Sequence, residues 1–127
     1  MYYVGKLDLA IYSCIASDIA TDEVIITDER IQHIKERRGS EFYAEYSGFF
    51  AEIIARPDYI FRDTKKNTAL VCKTFAYKGA TVNLVLRLAV EGDDPSYKNS
   101  VITAIKENEK RFEQRLRNNE PVYRRID

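Results

Sequence analysis

The only histidine, His33, lies between Arg30 and Arg37 in a stretch that reads as a helix from Asp28 to about Arg38. At about 100° per residue these three side chains fall within one narrow arc, beside Ile34 and away from Ile31. An imidazole that titrates near neutrality between two permanent cations suits general acid or base work on a phosphate. The cations attract the anion to the imidazole. The commoner outcome for such an arc is a solvated helix face whose histidine only caps or packs.

Two further groups could handle a phosphate. Lys73 stands between Val71 and Phe75 on one strand, and Arg87 stands among Asn83, Val85 and Ala89 on the less apolar face of the next. Cations emerging between apolar neighbours can offset the charge of a phosphorane transition state, although snorkelling surface residues look the same. In Asn99-Ser100-Val101-Ile102-Thr103, strand alternation groups Asn99, Val101 and Thr103 on one side and Ser100 and Ile102 on the other. Hydroxyl and amide groups at a strand-to-helix junction can hold a phosphate, or Thr103 can simply cap a helix beginning near Ala104.

Other machinery is absent from the sequence: there is no glycine-rich phosphate loop, GxSxG, HExxH or Cys/His ligand cluster. Asp93-Asp94 sits in a turn and the other acids follow helix faces among basic neighbours, so no metal site and no cofactor is expected. Metal-free chemistry favours RNA over DNA, because RNA carries its own nucleophile in the 2′-OH.

Positioning these groups requires a folded domain, and 127 residues are enough for one, taken as residues 1–127. With 45% hydrophobic and 31% charged residues the chain is ordinary globular protein, not a disordered segment. Its formal net charge of zero argues against gripping polyanions everywhere, so any phosphate site must be local. Cys14 and Cys72 read as small buried hydrophobes in a reducing compartment. Nothing approaches the roughly 20 apolar residues of a membrane span, and no secretory signal is visible, so the expectation is an intracellular, cytoplasmic protein.

Along the chain, Val4–Asp8 is too short to classify, and Leu9–Ile19 reads as a short helix despite some strand-like alternation. Val24–Ile26 is a β-branched strand, Thr27 caps the Asp28 helix, and Gly39 ends it. Ser40 caps the next helix, in which Phe42, Tyr46, Phe49, Phe50, Ile53 and Ile54 form an apolar stripe until Pro57. Strands are expected at Tyr59–Arg62, Ala69–Ala76, Thr81–Val90 and Asn99–Thr103, then a charged helix from Ala104 to about Asn118 with Ile105, Phe112 and Leu116 as its stripe, and an edge strand at Val122–Arg124. The fold class is therefore α+β: N-terminal helices followed by an antiparallel β-sheet, with a late helix.

The runs Val4-Gly5-Lys6-Leu7-Asp8, Thr21 to Arg30 with His33-Ile34, Pro57-Asp58-Tyr59-Ile60, Leu84 to Leu88 and Asn99 to Thr103 together resemble the phage-encoded branch of the barnase, EndoU, colicin and RelE-like (BECR-fold) nucleases. The similarity spans nearly the whole chain, and its specificity lies in the order and spacing of the segments. The resemblance implies a phage- or mobile-element-associated, toxin-like endoribonuclease that uses no metal and leaves a 2′,3′-cyclic phosphate. It implies RNA as partner, an immunity or antitoxin protein as a candidate second partner, and no membrane. His33 takes the catalytic role with Arg30 one turn before it, while Asn99, Ser100 and Thr103 take the late-segment roles. Lys73, Arg37 and Arg87 join them from the residue patterns. The family's helix often continues to a second histidine before a proline, whereas this chain has Arg38-Gly39, so it either uses another acid, such as Lys73 or Tyr123, or is impaired. Two other readings stay open: a noncatalytic RNA- or protein-binding module on the same fold, and an accessory protein using Tyr43 and Tyr46 as an interaction face.

Overall fold

The computed structural model describes residues 1–126. The chain opens with β1 (Tyr2–Lys6), after which the Asp8 carboxylate accepts from the Ala10 and Ile11 amides and starts α1 (Leu9–Tyr12). The helix expected to reach Ile19 stops there. Arg62 donates to the carbonyls of Cys14 at 2.9 Å and Ile15 at 3.4 Å, drawing both to the β-sheet side instead of a next helical turn. Tyr12 is fully buried, and its hydroxyl donates to Ile54 O at 2.7 Å.

Strand β2 (Glu23–Ile26) leads to Thr27, whose hydroxyl accepts from Arg30 N as the sequence suggested, and then to α2 (Asp28–Arg38). Gly39 has φ +98°, a backbone region that favours glycine, and it ends the helix. The long apolar helix that follows is broken into α3 (Ser40–Tyr46), a 3₁₀ turn at Ser47–Phe49 around Gly48, and α4 (Phe50–Ala55). Ser40 is the first helical residue of α3 and not its cap.

The remaining elements are β3 (Tyr59–Arg62), β4 (Thr68–Phe75), β5 (Ala80–Arg87), β6 (Asn99–Asn108), α5 (Glu109–Asn118) and β7 (Tyr123–Arg124). The seven strands form one sheet in the order β1-β2-β6-β5-β4-β3-β7. This is the expected α+β class, with β1 and β2 ahead of α2 to α4. The sheet is mixed, because β2 runs parallel to β6 while every other join is antiparallel.

The largest departure is β6. A helix expected from Ala104 is instead strand as far as Asn108, because the whole of β5 pairs with it, from Ala80 opposite Asn108 to Arg87 opposite Ser100. Tertiary pairing overrides local helix preference here. Asn108, not Thr103, caps α5, its side chain accepting from Arg111 N at 2.8 Å. Opposite Val85 and Leu86, β6 carries one extra residue, Ile102. This bulge resets the alternation, so Thr103 faces the same side as Ser100 rather than sharing a side with Asn99 and Val101.

Helices α2 to α4 cover one sheet face, where Ile34, Tyr46, Phe50, Ile53 and Ile54 bury against Val24, Val71, Val82, Leu84, Leu86 and Val101. Each such aliphatic or aromatic side chain contributes roughly 1.5–3 kcal/mol. On the other face α5 covers a smaller cluster of Phe61, Leu70 and Cys72 with Phe112. Beyond that cluster, Arg87, Ser100 and Thr103 on the second face are half-buried. Tyr12→Phe removes one buried hydrogen bond and orphans the Ile54 carbonyl, and should lower the unfolding free energy by about 1–2 kcal/mol in urea titration.

Candidate functional site

Strand β2 pairs with β6 only at Asn99 and Ser100, which leaves the β6 backbone beyond the bulge without a strand neighbour on that side. Helix α2 takes the place of one: the Arg38 guanidinium donates from Nε to Ala104 O at 3.0 Å. Ile34 points into the core, while Lys35 on the far side stands 5.3 Å over the Tyr43 ring of α3. The arc of Arg30, His33 and Arg37 is therefore left on the side away from α3. Arg37 lines a cleft there with Ile105 and Glu107 of β6 and Arg111 and Arg115 of α5.

The cleft measures about 530 Å³ and gathers five cations, Arg37, Arg38, Lys106, Arg111 and Arg115, against one carboxylate, Glu107. Glu107 is 5% exposed and is gripped in two-pronged fashion by Arg115, Nε to Oε1 at 2.9 Å and Nη2 to Oε2 at 3.1 Å. Asn83 donates to the same Oε1 from the neighbouring strand. Burial pushes the Glu107 carboxyl up, but the Arg115 and Asn83 hydrogen bonds outweigh it and hold the group below its ordinary value, as a carboxylate. Arg115 is committed to that pair. Among the described residues the guanidinium groups of Arg30, Arg37 and Arg111 have no hydrogen-bond or ion-pair partner, and neither does the His33 imidazole, which is half-buried.

The other expected site residues divide. Arg87, Ser100 and Thr103 lie on the sheet face opposite α2 to α4, Arg87 directly across from Ser100. The Thr103 hydroxyl oxygen is buried and, among the described residues, has no hydrogen-bond partner; the same holds for Asn83 Oδ1. Arg87 bonds the Leu88 carbonyl and stands 3.5 Å from Asp93.

Asn99 is not available to a ligand. It is fully buried, its Oδ1 accepts from Ala89 N at 2.8 Å, and its Nδ2 donates to the carbonyls of Thr21 and Glu23 at 2.7 and 2.9 Å. Lys73 points to the helix-covered face, where its ammonium donates to Arg56 O at 2.9 Å and lies 3.9 Å from Asp58. It closes the exit of α4, two strands away from β6. Tyr123 sits in β7 at the far edge of the sheet. The fold brings neither Lys73 nor Tyr123 to the α2 arc.

Sequence reading missed Glu107, Asn83, Arg111 and Arg115. The signal was present: Ile105 and Glu107 continue an alternation, and Arg111 and Arg115 are one helical turn apart on one face. Both were hidden by starting the helix at Ala104. Among the described residues no three His, Cys, Asp or Glu side chains gather as a metal site, and no helix is long and apolar enough to cross a membrane.

A family model described as phage-Barnase-EndoU-ColicinE5/D-RelE like nuclease2 matches residues 5–124. Neither the curated proteins nor the solved structures give a match.

A depressed carboxylate stabilises the fold above its unfolded pKa, and that contribution disappears as pH falls through the folded pKa. For Glu107 the loss should therefore set in below its ordinary value of 4.5. Glu107→Gln should be less stable than the parent at pH 7, and its urea midpoint should fall less steeply than the parent's between pH 5 and about pH 3. Parallel pH curves for the two proteins would show that the pair contributes nothing.

Proposed function

We propose that this chain, which belongs to the phage-Barnase-EndoU-ColicinE5/D-RelE like nuclease 2 family, cleaves RNA by internal attack of the 2′-OH, with its phosphate site in the cleft between α2 and α5. The observation that carries the reading is the meeting of Arg37 and Arg111, two guanidinium groups without partners among the described residues, beside the His33 arc in a chain of zero net charge. Cations held at the wall of a cleft without internal ion pairs are arranged for an incoming anion.

In this reading His33 takes the proton of the 2′-OH as the 2′-oxygen attacks phosphorus. The bond to the 5′-oxygen breaks, a 2′,3′-cyclic phosphate remains, and the leaving oxygen takes a proton from water. Arg37 and Arg111, supported by Arg30, stabilise the added negative charge on the pentavalent phosphorus, whereas the Thr103 hydroxyl is buried and does not line the cleft. No divalent ion takes part. Arg38 occupies the position at which the resembled nucleases often carry a second histidine, and here it ties α2 to β6.

One observation favours a second reading, a noncatalytic RNA-binding module. His33 lacks a partner that would fix its ring orientation and tautomer, which catalytic histidines commonly have.

Incubation with total RNA in EDTA, followed by end-group analysis, separates the two. The parent should yield fragments ending in cyclic phosphate, His33→Ala should lose at least about 100-fold in rate, and Arg37→Ala/Arg111→Ala should lose on the order of 100- to 1,000-fold. Abolition by EDTA would sink the metal-free mechanism. Folded parent protein that binds RNA without cutting it, with affinity unchanged by His33→Ala and lost in the double variant, would establish the binding module.

A further inference from the structure

We infer that the second sheet face at the β2 end of β6 holds a subsite for a flanking nucleobase of a single-stranded RNA, with Tyr97 as the surface on which the base stacks. This rests on the RNA-cleaving reading above and adds the path of the strand. A second cleft, about 320 Å³ in volume, lies there and is bounded by Ile25, Arg87, Asp93, Tyr97, Lys98 and Ser100. That volume is at the lower end of the range for small-ligand sites.

Three features select a base as its occupant. The walls are mostly apolar, and Tyr97 is 58% exposed on a turn. An aromatic ring opposite an aliphatic wall is the environment that accepts the flat face of a base. The charges, in contrast to those of the α2–α5 cleft, are already offset: Arg87 stands 3.5 Å from Asp93, and Lys98 lies 2.9 Å from Glu23. A phosphate would meet paired cations and a carboxylate, whereas a base edge, carrying donors and acceptors together, meets both kinds of group. Ser100 adds a hydroxyl that has no partner among the described residues.

The third feature is continuity. Because the Ile102 bulge keeps Ser100 and Thr103 on one face, that face runs without a change of side from Ser100 through Thr103 to Ile105 and Glu107 in the phosphate cleft. At about 3.3 Å per residue, with one residue taken up by the bulge, Ser100 and Glu107 are on the order of 20 Å apart. The subsite therefore serves a nucleotide beyond the one being cut, and the strand follows β6.

The test is binding of a 2′-O-methyl hexanucleotide, which lacks the free nucleophile, compared with an abasic chain of equal length and charge, at fixed salt. Tyr97→Ala should weaken the hexanucleotide about tenfold and leave the abasic chain unchanged, while Tyr97→Phe should bind both as the parent does. Tyr97 is exposed, and its one hydrogen bond, from its backbone amide to Asp94 O at 2.9 Å, survives either substitution. Unchanged hexanucleotide affinity in Tyr97→Ala, or equal weakening of both ligands, overturns the subsite while leaving the RNA reading intact. A parent protein that binds neither ligand overturns the RNA reading and the subsite with it.

Discussion

Only two residue pairs, Val24 with Asn99 and Ile25 with Ser100, join β2 to β6, and the Asn99 amide reinforces them by bonding to Thr21, Glu23 and Ala89 at once. A parallel join this short is weak on its own, and three hydrogen bonds from one buried side chain fix it in register. Much else depends on that register. Because β2 ends two residues past the start of the join, the chain turns at Thr27 into α2 beside a stretch of β6 that has no strand neighbour. Had the pairing continued, a strand would cover the backbone that Arg38 now reaches, and the α2 arc would face a β-strand instead of α5.

The chain's electrostatics show how a neutral protein can present a strongly positive patch. Arg37 and Arg38 are separated from Arg111 and Arg115 by more than half the sequence, yet they line one cleft with a single carboxylate. The compensation lies elsewhere: outside the cleft, acids outnumber cations among the described residues. Composition excluded a globally basic surface, and it could not show where the charges would separate.

What the sequence revealed followed the strength of local signals. The Thr27 cap, the length of α2 and the glycine that ends it were all legible, because capping and backbone conformation act within a few residues. The β6 strand was not legible beyond Thr103, since Ala104 to Asn108 has no turn signal and owes its extended form to β5, some twenty residues earlier. That misplacement hid Glu107, and the Ile102 bulge, which no local pattern announces, turned Thr103 to the other face. The α1 boundary failed for a similar reason, since the Arg62 guanidinium that binds the Cys14 and Ile15 carbonyls is almost fifty residues away. Lys73 and Asn99 were drawn toward a site by their chemistry, and the fold uses that same chemistry to close α4 and to clip β2.

Helix α5 is the least anchored wall of the site. Besides the Arg115–Glu107 pair, a cluster of four buried residues, Phe61, Leu70, Cys72 and Phe112, holds it to the sheet, compared with the much larger cluster beneath α2 to α4. Segments docked through few buried contacts open in local fluctuations well before the whole chain unfolds. When α5 lifts, Arg111 and Arg115 leave while Arg37 and His33 stay, so the cleft comes apart along one seam and the sheet survives. The same event uncovers Cys72, whose thiol burial otherwise pushes far up and keeps unreactive. Capture of that thiol by an alkylating reagent would thus time the breathing of a single helix, and amide hydrogens of α5 would exchange ahead of those in β4 and β5.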